Sequence, residues 1–340
     1  MTRTSAKLAR STVPRRVAQL ILVVAAVGFI WRFAVRHGAD LGRVEWRVSY
    51  PAILLASLVW ALAFGGLVLL WSHSLRWWDA RMRRGAALRV FFLSNLARYI
   101  PGAVWQFAGL AAMSAAQGVS PVAATAAVLW QQAALLGTGM VLAVALSPVA
   151  LAPAFARLSL PIPSLGTRLT LALVLVAAAV VVVPRLLHPL RRVIERRFRD
   201  VKAVPHVSPA RMAAYLALTT ASWIGYGVAF ALFCRAVLGD AAPPMVEAGA
   251  IYVAAYVLGI LFIIVPGGIG IREGALVASL TPLVGADRAL FLAIASRLWL
   301  TALEIVGALI VLALGAGRPA PAAAADAERE ARFRRTSTCW

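Results

Sequence analysis

A chain of 340 residues that is 62% hydrophobic and only 14% charged, with a mean hydropathy of +0.84, is not a soluble globule, whose apolar share runs at about 45–50%. The formal net charge of +21 does not make it a nucleic-acid binder: the arginines gather beside apolar runs, as cytoplasmic membrane flanks do, and no RNA- or DNA-binding motif is present. Cys234 lies in an apolar run and Cys339 is penultimate, so neither a disulfide framework nor metal-ligand spacing exists. The expectation is an all-α polytopic membrane helix bundle.

Residues 1–16 carry five Lys/Arg and read as a basic cytoplasmic tail. The apolar run from Val17 to Val35 is long enough to cross a bilayer and, without a clear small-residue cleavage site, is expected to stay as an uncleaved first span. A second span is predicted from Tyr50 to Trp71. Trp71, Trp77 and Trp78 then sit among Arg76, Arg81, Arg83, Arg84 and Arg89, the make-up of an interfacial belt beside a cytoplasmic loop. Next comes an apolar stretch broken at Pro101-Gly102, each arm of which is short for a crossing. Further spans are predicted near Val122 to Leu146, Leu169 to Val183, Met212 to Leu238 and Ala289 to Leu314. A second broken stretch, Val246 to Val284, surrounds Pro266-Gly267-Gly268. The membrane domain is thus residues 17–315, with six crossings and two broken elements, and residues 316–340 form an Ala/Pro-rich charged tail expected to be flexible and cytoplasmic. Leu186, Leu190, Val193, Ile194, Phe198 and Val201 recur at helical spacing among arginines; this basic helix either lies on the cytoplasmic leaflet or extends the preceding span.

The two broken stretches share one grammar. Arg98 to Gly102 reads RYIPG and Ile263 to Gly274 reads IIVPGGIGIREG; each sets an arginine near a Pro-Gly break in apolar sequence. Backbone interrupted at membrane depth survives only where it is buried in protein or lines a wet cavity, and paired interruptions in corresponding halves point to a transporter's binding site. Charge placement bears on whether they cross. If both are re-entrant hairpins, 23 of the 34 Lys/Arg fall in cytoplasmic segments and six in external loops, as the positive-inside bias requires. Both termini are then cytoplasmic, in the cell membrane. The first hairpin dips in from the cytoplasm and the second from outside, as inverted repeats produce. The other reading makes the breaks interfacial turns, with Arg98 and Arg272 snorkelling to headgroups.

A re-entrant hairpin starts its second arm inside the membrane, so the free N–H groups of that arm, with the helix dipole behind them, form an anion site. Those groups lie near Gly102 to Trp105 and near Gly268 to Arg272. Glycine permits close backbone approach and arginine binds phosphate in a bidentate way, so Arg98 and Arg272 suit a phospholipid or polyprenyl-phosphate headgroup. Glu273 and Glu304 are expected to balance Arg272 and Arg297 when no lipid is bound. Arg297 and Glu304, seven apart, share a helix face two turns apart and are expected to face a shared cavity rather than to pair. Both also read as structural cross-links. Gly65, Gly66, Gly137, Gly139, Gly225 and Gly227 are expected at close helix packing, and Trp105, Trp130 and Trp299 as packing or interface anchors. The four histidines lack ligand spacing.

Asn95, Arg98-Tyr99-Ile100-Pro101-Gly102, Trp105-Gln106 and Gly118-Val119-Ser120, followed by Pro266 to Gly274 and Arg297, resemble the flippase-like membrane domain of lysylphosphatidylglycerol synthases. The resemblance covers roughly residues 15–315 and rests on two separated signatures in the right order. It implies a domain associated with moving lipid between leaflets, and some stand-alone members resemble accessory proteins of glycolipid or polyprenyl-lipid pathways. Two departures stand out. The sequence after residue 315 contains no soluble aminoacyltransferase domain, so a complete synthase is not expected. Where the family often has an acidic residue, this chain reads Trp130-Gln131-Gln132.

The candidate substrate-binding set is Asn95, Arg98, Tyr99, Pro101, Gly102, Gln106, Pro266, Gly267, Gly268, Gly270, Arg272, Glu273, Arg297 and Glu304. No catalytic residue, metal ligand or cofactor is expected, and no GxxxxGK[ST] phosphate loop is present. Three functions are carried forward: a flippase-like protein moving or binding an anionic lipid, an accessory or scaffold subunit of a lipid-glycosylation or envelope pathway, and a membrane-embedded lipid-modifying enzyme. The third is weakest, because Glu273 lacks a second placed carboxylate or histidine. The partners expected are membrane lipids and, for the accessory role, a glycosyltransferase or other lipid-pathway enzyme.

Overall fold

A computed structural model describes residues 48–99, 105–146, 163–197, 207–261 and 270–315. The first predicted span, the two tails and both Pro-Gly breaks lie outside the described residues. Within them the chain forms nine α-helices and no strand: α1 Tyr50–Ser74, α2 Arg84–Leu96, α3 Trp105–Ala115, α4 Pro121–Leu146, α5 Leu165–Arg197, α6 Pro209–Leu238, α7 Met245–Leu261, α8 Ile271–Val284 and α9 Ala286–Ala313. An all-helical solution is what an apolar chain requires in lipid, where each backbone N–H and C=O must find its partner within the segment.

Five helices, α1, α4, α5, α6 and α9, are long and apolar enough to cross a membrane, and they fall on the five predicted spans inside the described residues. The arms of the broken stretches are shorter. With 13 residues in α2, 11 in α3 and 14 in α8, they reach about 16–21 Å at 1.5 Å per residue, and the 17 residues of α7 reach about 26 Å. None covers the roughly 30 Å hydrocarbon core. α2 packs on α3 and α7 on α8. The basic run after residue 185 extends the preceding span, because α5 continues as one helix through Pro184 and Pro189 to Arg197.

Local chemistry sets the ends. Pro51 opens α1, and Pro209 opens α6 behind an N-cap Ser208 whose hydroxyl accepts from the Arg211 N–H. Such a proline loses a donor that has no intrahelical acceptor in any case. Gly285, at φ +84, separates α8 from α9, a conformation that β-carbon sterics deny to most residues.

The helices form two halves, α1 to α4 and α6 to α9, linked by α5. Exchanging the halves reproduces much of the packing: α1 on α2 matches α6 on α7, α3 on α4 matches α8 on α9, α4 on α7 matches α9 on α2, and α1 on α4 matches α6 on α9, while the packing of α4 on α6 is not matched to the same extent by α9 on α1. α1 and α6 run antiparallel. The Ser49 N–H at the start of α1 donates to the Ala236 carbonyl near the end of α6 at 2.7 Å, while Ala63 lies against Gly225 further along. Corresponding helices that pack antiparallel are related by an axis across the bundle, as the halves of an inverted repeat are.

A large apolar core, including Trp71, Trp223, Phe230, Tyr252 and Phe291, runs through both halves. Three of the six singled-out glycines serve close packing. A β-carbon on Gly139 would sit 2.6 Å from Val257 and 2.9 Å from the Trp223 ring, one on Gly225 would sit 2.8 Å from Ala63, and one on Gly227 would meet the Gly249 backbone at 3.1 Å. Gly65, Gly66 and Gly137 have nothing within 4 Å, which corrects the expectation for those three. Trp299 is an anchor as expected, stacked on Phe233 and donating its indole N–H to Ser57 on α1 at 3.0 Å; Trp105 is half exposed at the start of α3.

Candidate functional site

The end of α2 carries Asn95 in its last turn and Arg98 in a single 3₁₀ turn, Ala97–Tyr99, that follows. The Arg98 guanidinium donates to the Asn95 side-chain oxygen at 3.4 Å, and Gln106, in the first turn of α3, donates to the same oxygen at 3.5 Å. The other side of Arg98 forms an ion pair with Glu304 on α9, whose side chain is buried. Arms α2 and α3 are therefore tied to each other through Asn95 and to the opposite half through Arg98.

The second broken stretch is fixed to the same helix. Gly270, at φ +87, precedes α8, and its N–H is capped by Glu273 Oε2 at 2.7 Å. A carboxylate at this position satisfies an otherwise orphaned donor and sits at the positive end of the helix dipole. The other oxygen of Glu273 accepts from Arg297 on α9 at 3.3 Å. Arg297 and Glu304, seven residues apart on one face of α9, are thus separated by about 10 Å along the axis and each engages a different broken stretch.

These pairings correct the sequence expectation. The expectation sets Glu273 and Glu304 together against Arg272 and Arg297; the structure pairs Glu273 with Arg297 and Glu304 with Arg98. Neighbouring helical residues diverge by about 100° around the axis, so Arg272 and Glu273 point to different surfaces. The capped Gly270 N–H also removes one donor from the anion site expected there; the N–H groups of Ile271 and Arg272 precede the first backbone bond of α8, from Gly274 N–H to the Gly270 carbonyl.

Arg272 is 95% buried and faces α7, where its guanidinium carbon lies 5.1 Å from the Tyr252 ring centroid and 5.2 Å from that of Tyr256. Two ring faces at that range hold a cation by its attraction to the π system. Its Nε and Nη2 have no hydrogen-bond partner among the described residues. The rings belong to a wider aromatic wall: Tyr252 stacks on Phe230, and Trp223 meets both Tyr226 and Tyr256 edge-on. Tyr226 and Tyr252 lie within electrostatic reach of both Glu304 and Arg98, so the two arginine sites share one neighbourhood.

Of the predicted set, the structure brings together Asn95, Arg98, Gln106, Arg272, Glu273, Arg297 and Glu304, with Gly270 as the N-cap of α8. Tyr99 closes the 3₁₀ turn, but its side chain, like Pro101, Gly102, Pro266, Gly267 and Gly268, lies outside the described residues. Sequence reasoning missed Tyr226, Tyr252 and Tyr256. The signal available was the four-residue spacing of Tyr252 and Tyr256 on the helix before the second break. Gln131 is almost fully buried on α4, donating its amide to the Leu67 carbonyl on α1 at 2.7 Å; a neutral amide can make that bond, whereas an ionised carboxylate cannot. Among the described residues no group of His, Cys, Asp or Glu could hold a metal ion.

Five membrane-length helices, two interrupted elements joined on one helix face, and the cluster of Arg98, Arg272, Arg297, Glu273 and Glu304 among the described residues define a multi-pass membrane protein with charge in its interior. The chain belongs to the lysylphosphatidylglycerol synthase transmembrane family: the model of the lysylphosphatidylglycerol synthase TM region matches residues 16–314. That membership makes it a membrane protein related to lipid synthesis or transport. No curated protein matches the chain.

Proposed function

We propose that the protein binds an anionic lipid, of the phospholipid or polyprenyl-phosphate type, between its two interrupted elements and moves it across the bilayer without catalytic chemistry of its own. The observation that carries this reading is Arg272. Arg98 and Arg297 each have a glutamate, whereas Arg272 has no carboxylate partner among the described residues and is buried against two tyrosine rings. A desolvated guanidinium that meets no carboxylate among the described residues is held at a cost that a lipid phosphate offsets by paired N–H···O bonds. The antiparallel halves supply the second element of the reading, since a site between inverted repeats is open to each leaflet in turn. In this reading both termini are cytoplasmic, the membrane is the cell membrane and the partners are membrane lipids, which the clustering of Lys/Arg beside the spans supports.

A second reading has its own support. The Arg98–Glu304 pair binds the two halves together and the Arg297–Glu273 pair fastens α8 to α9 within the second half, as cross-links in an accessory subunit of a lipid-glycosylation enzyme would. Reconstitution into liposomes with fluorescent anionic, zwitterionic and polyprenyl-phosphate lipids separates the two. Movement of anionic lipid by the wild type that is lost in Arg272→Ala at equal incorporation supports transport; no movement, or none lost in the variant, gives first place to the accessory role.

A further inference from the structure

A second charged concavity lies away from the arginine and glutamate cluster and shares no lining residue with it. It is a groove of about 670 Å³ between α1, α6 and the turn that joins α1 to α2. At one end stand Arg76, Arg81 and Arg84, all exposed, and no carboxylate is among the lining residues. Along its length the walls are apolar and open: Leu62 is 77%, Leu69 40% and Leu218 56% exposed. Gly66 forms part of the wall, and a β-carbon there would meet nothing within 4 Å.

The dimensions fit one leaflet. From Leu62 to Ser72 α1 rises about 15 Å, half of the roughly 30 Å hydrocarbon core, and the arginines follow immediately, at headgroup level. Three guanidiniums at the mouth of an apolar slot that is one acyl chain deep match a phosphate ester on a hydrocarbon tail. The charge pattern that assigns the Arg76–Arg84 turn to the cytoplasm also places the groove in the leaflet richest in anionic lipid. We propose that this groove is a binding site for an anionic phospholipid of the cytoplasmic leaflet, with its phosphate held by Arg76, Arg81 and Arg84 and one acyl chain lying between α1 and α6. The site holds whether or not the central cluster transports lipid.

The test is photo-crosslinking of the full-length protein in phosphatidylcholine vesicles doped with phosphatidylglycerol carrying a diazirine on one acyl chain, with adducts mapped by mass spectrometry. Adducts are expected on residues 62–72 of α1 and 218–222 of α6. Excess unlabelled phosphatidylglycerol should suppress them, while excess phosphatidylcholine or inorganic phosphate should not. Replacing all three arginines by glutamine should lower the yield about a hundredfold, because three basic side chains near an anionic headgroup contribute about 1 kcal/mol each and about 1.4 kcal/mol is a factor of ten. Gly66→Leu, which fills open space on a helix and removes a poor helix former, should abolish these adducts with the protein still folded. Suppression by phosphatidylcholine, or adducts unchanged in the arginine variant, makes the groove ordinary lipid contact and overturns the proposal. So does an absence of adducts on these segments while other helices are labelled, because another part of the chain then covers the groove. Arg272→Ala should leave the adducts in place, which separates this site from the central one.

Discussion

Glu273 turns away from its neighbour Arg272 and bonds Arg297, 24 positions further on, at 3.3 Å, while its other oxygen caps the N–H of Gly270. One carboxylate thus orders the start of α8 and fastens it to α9. Glu273→Gln keeps the size but has a single acceptor oxygen, so it can serve the cap or the arginine and not both. A charged hydrogen bond contributes about 1.5–3 kcal/mol, and a loss of that order is expected in unfolding of the detergent-purified protein. An unchanged melting temperature would show that the carboxylate is not needed in this position.

Glu304 holds Arg98 across 206 positions of sequence. Glu304→Gln leaves the guanidinium without its charge partner, and breaking such a buried pair costs about 3–5 kcal/mol. The Arg98 side chain is 22% exposed, so the lower end is expected. The double variant Arg98→Met/Glu304→Met should be milder than Glu304→Gln alone, since no unpaired charge remains. Additive losses in the cycle would mean that the two residues act independently.

At Arg272, lysine keeps the charge but not the planar fork that rings and phosphate both favour. Anionic-lipid movement is therefore expected to rank wild type above Arg272→Lys above Arg272→Ala. Tyr252→Leu and Tyr256→Leu should each weaken the placement of Arg272 by about 0.5–2 kcal/mol and lower the rate for anionic lipid more than for zwitterionic lipid. Equal effects on both lipid types would assign the tyrosines to packing alone.

Two glycine substitutions should differ in sign. Gly139→Ala drives a β-carbon into Val257 and the Trp223 ring, which is pinned by its N–H bond to the Leu135 carbonyl at 2.9 Å, and overpacking of this kind costs about 1–3 kcal/mol. Gly65→Ala meets nothing within 4 Å and should be neutral or stabilising by up to about 1 kcal/mol through helix propensity. Thermal unfolding of the two variants side by side is the measurement.

The proposed orientation is open to impermeant thiol labelling of intact cells, in a Cys339→Ser background where the remaining Cys234 is buried. Cysteines at Ser120 and Ala210 should be shielded from reagent added outside, and one at Ala241 should react; all three positions are exposed. External labelling at Ala210 would invert the topology.

The class, the five long helices and the shortness of the broken arms were legible in the sequence, because hydropathy over a 20-residue window is a local property that the bilayer reads directly. The charge partners were not. Arg272 and Glu273 are adjacent in the chain, and only the rotation of α8 against α7 and α9 decides that one meets two tyrosines while the other meets Arg297. Likewise Gly65 and Gly139 are the same residue in similar apolar runs, yet one faces open space and the other a tryptophan. Contacts of this kind depend on the angle and depth at which distant helices pack, and a one-dimensional pattern carries the face of each helix but not the neighbour that covers it.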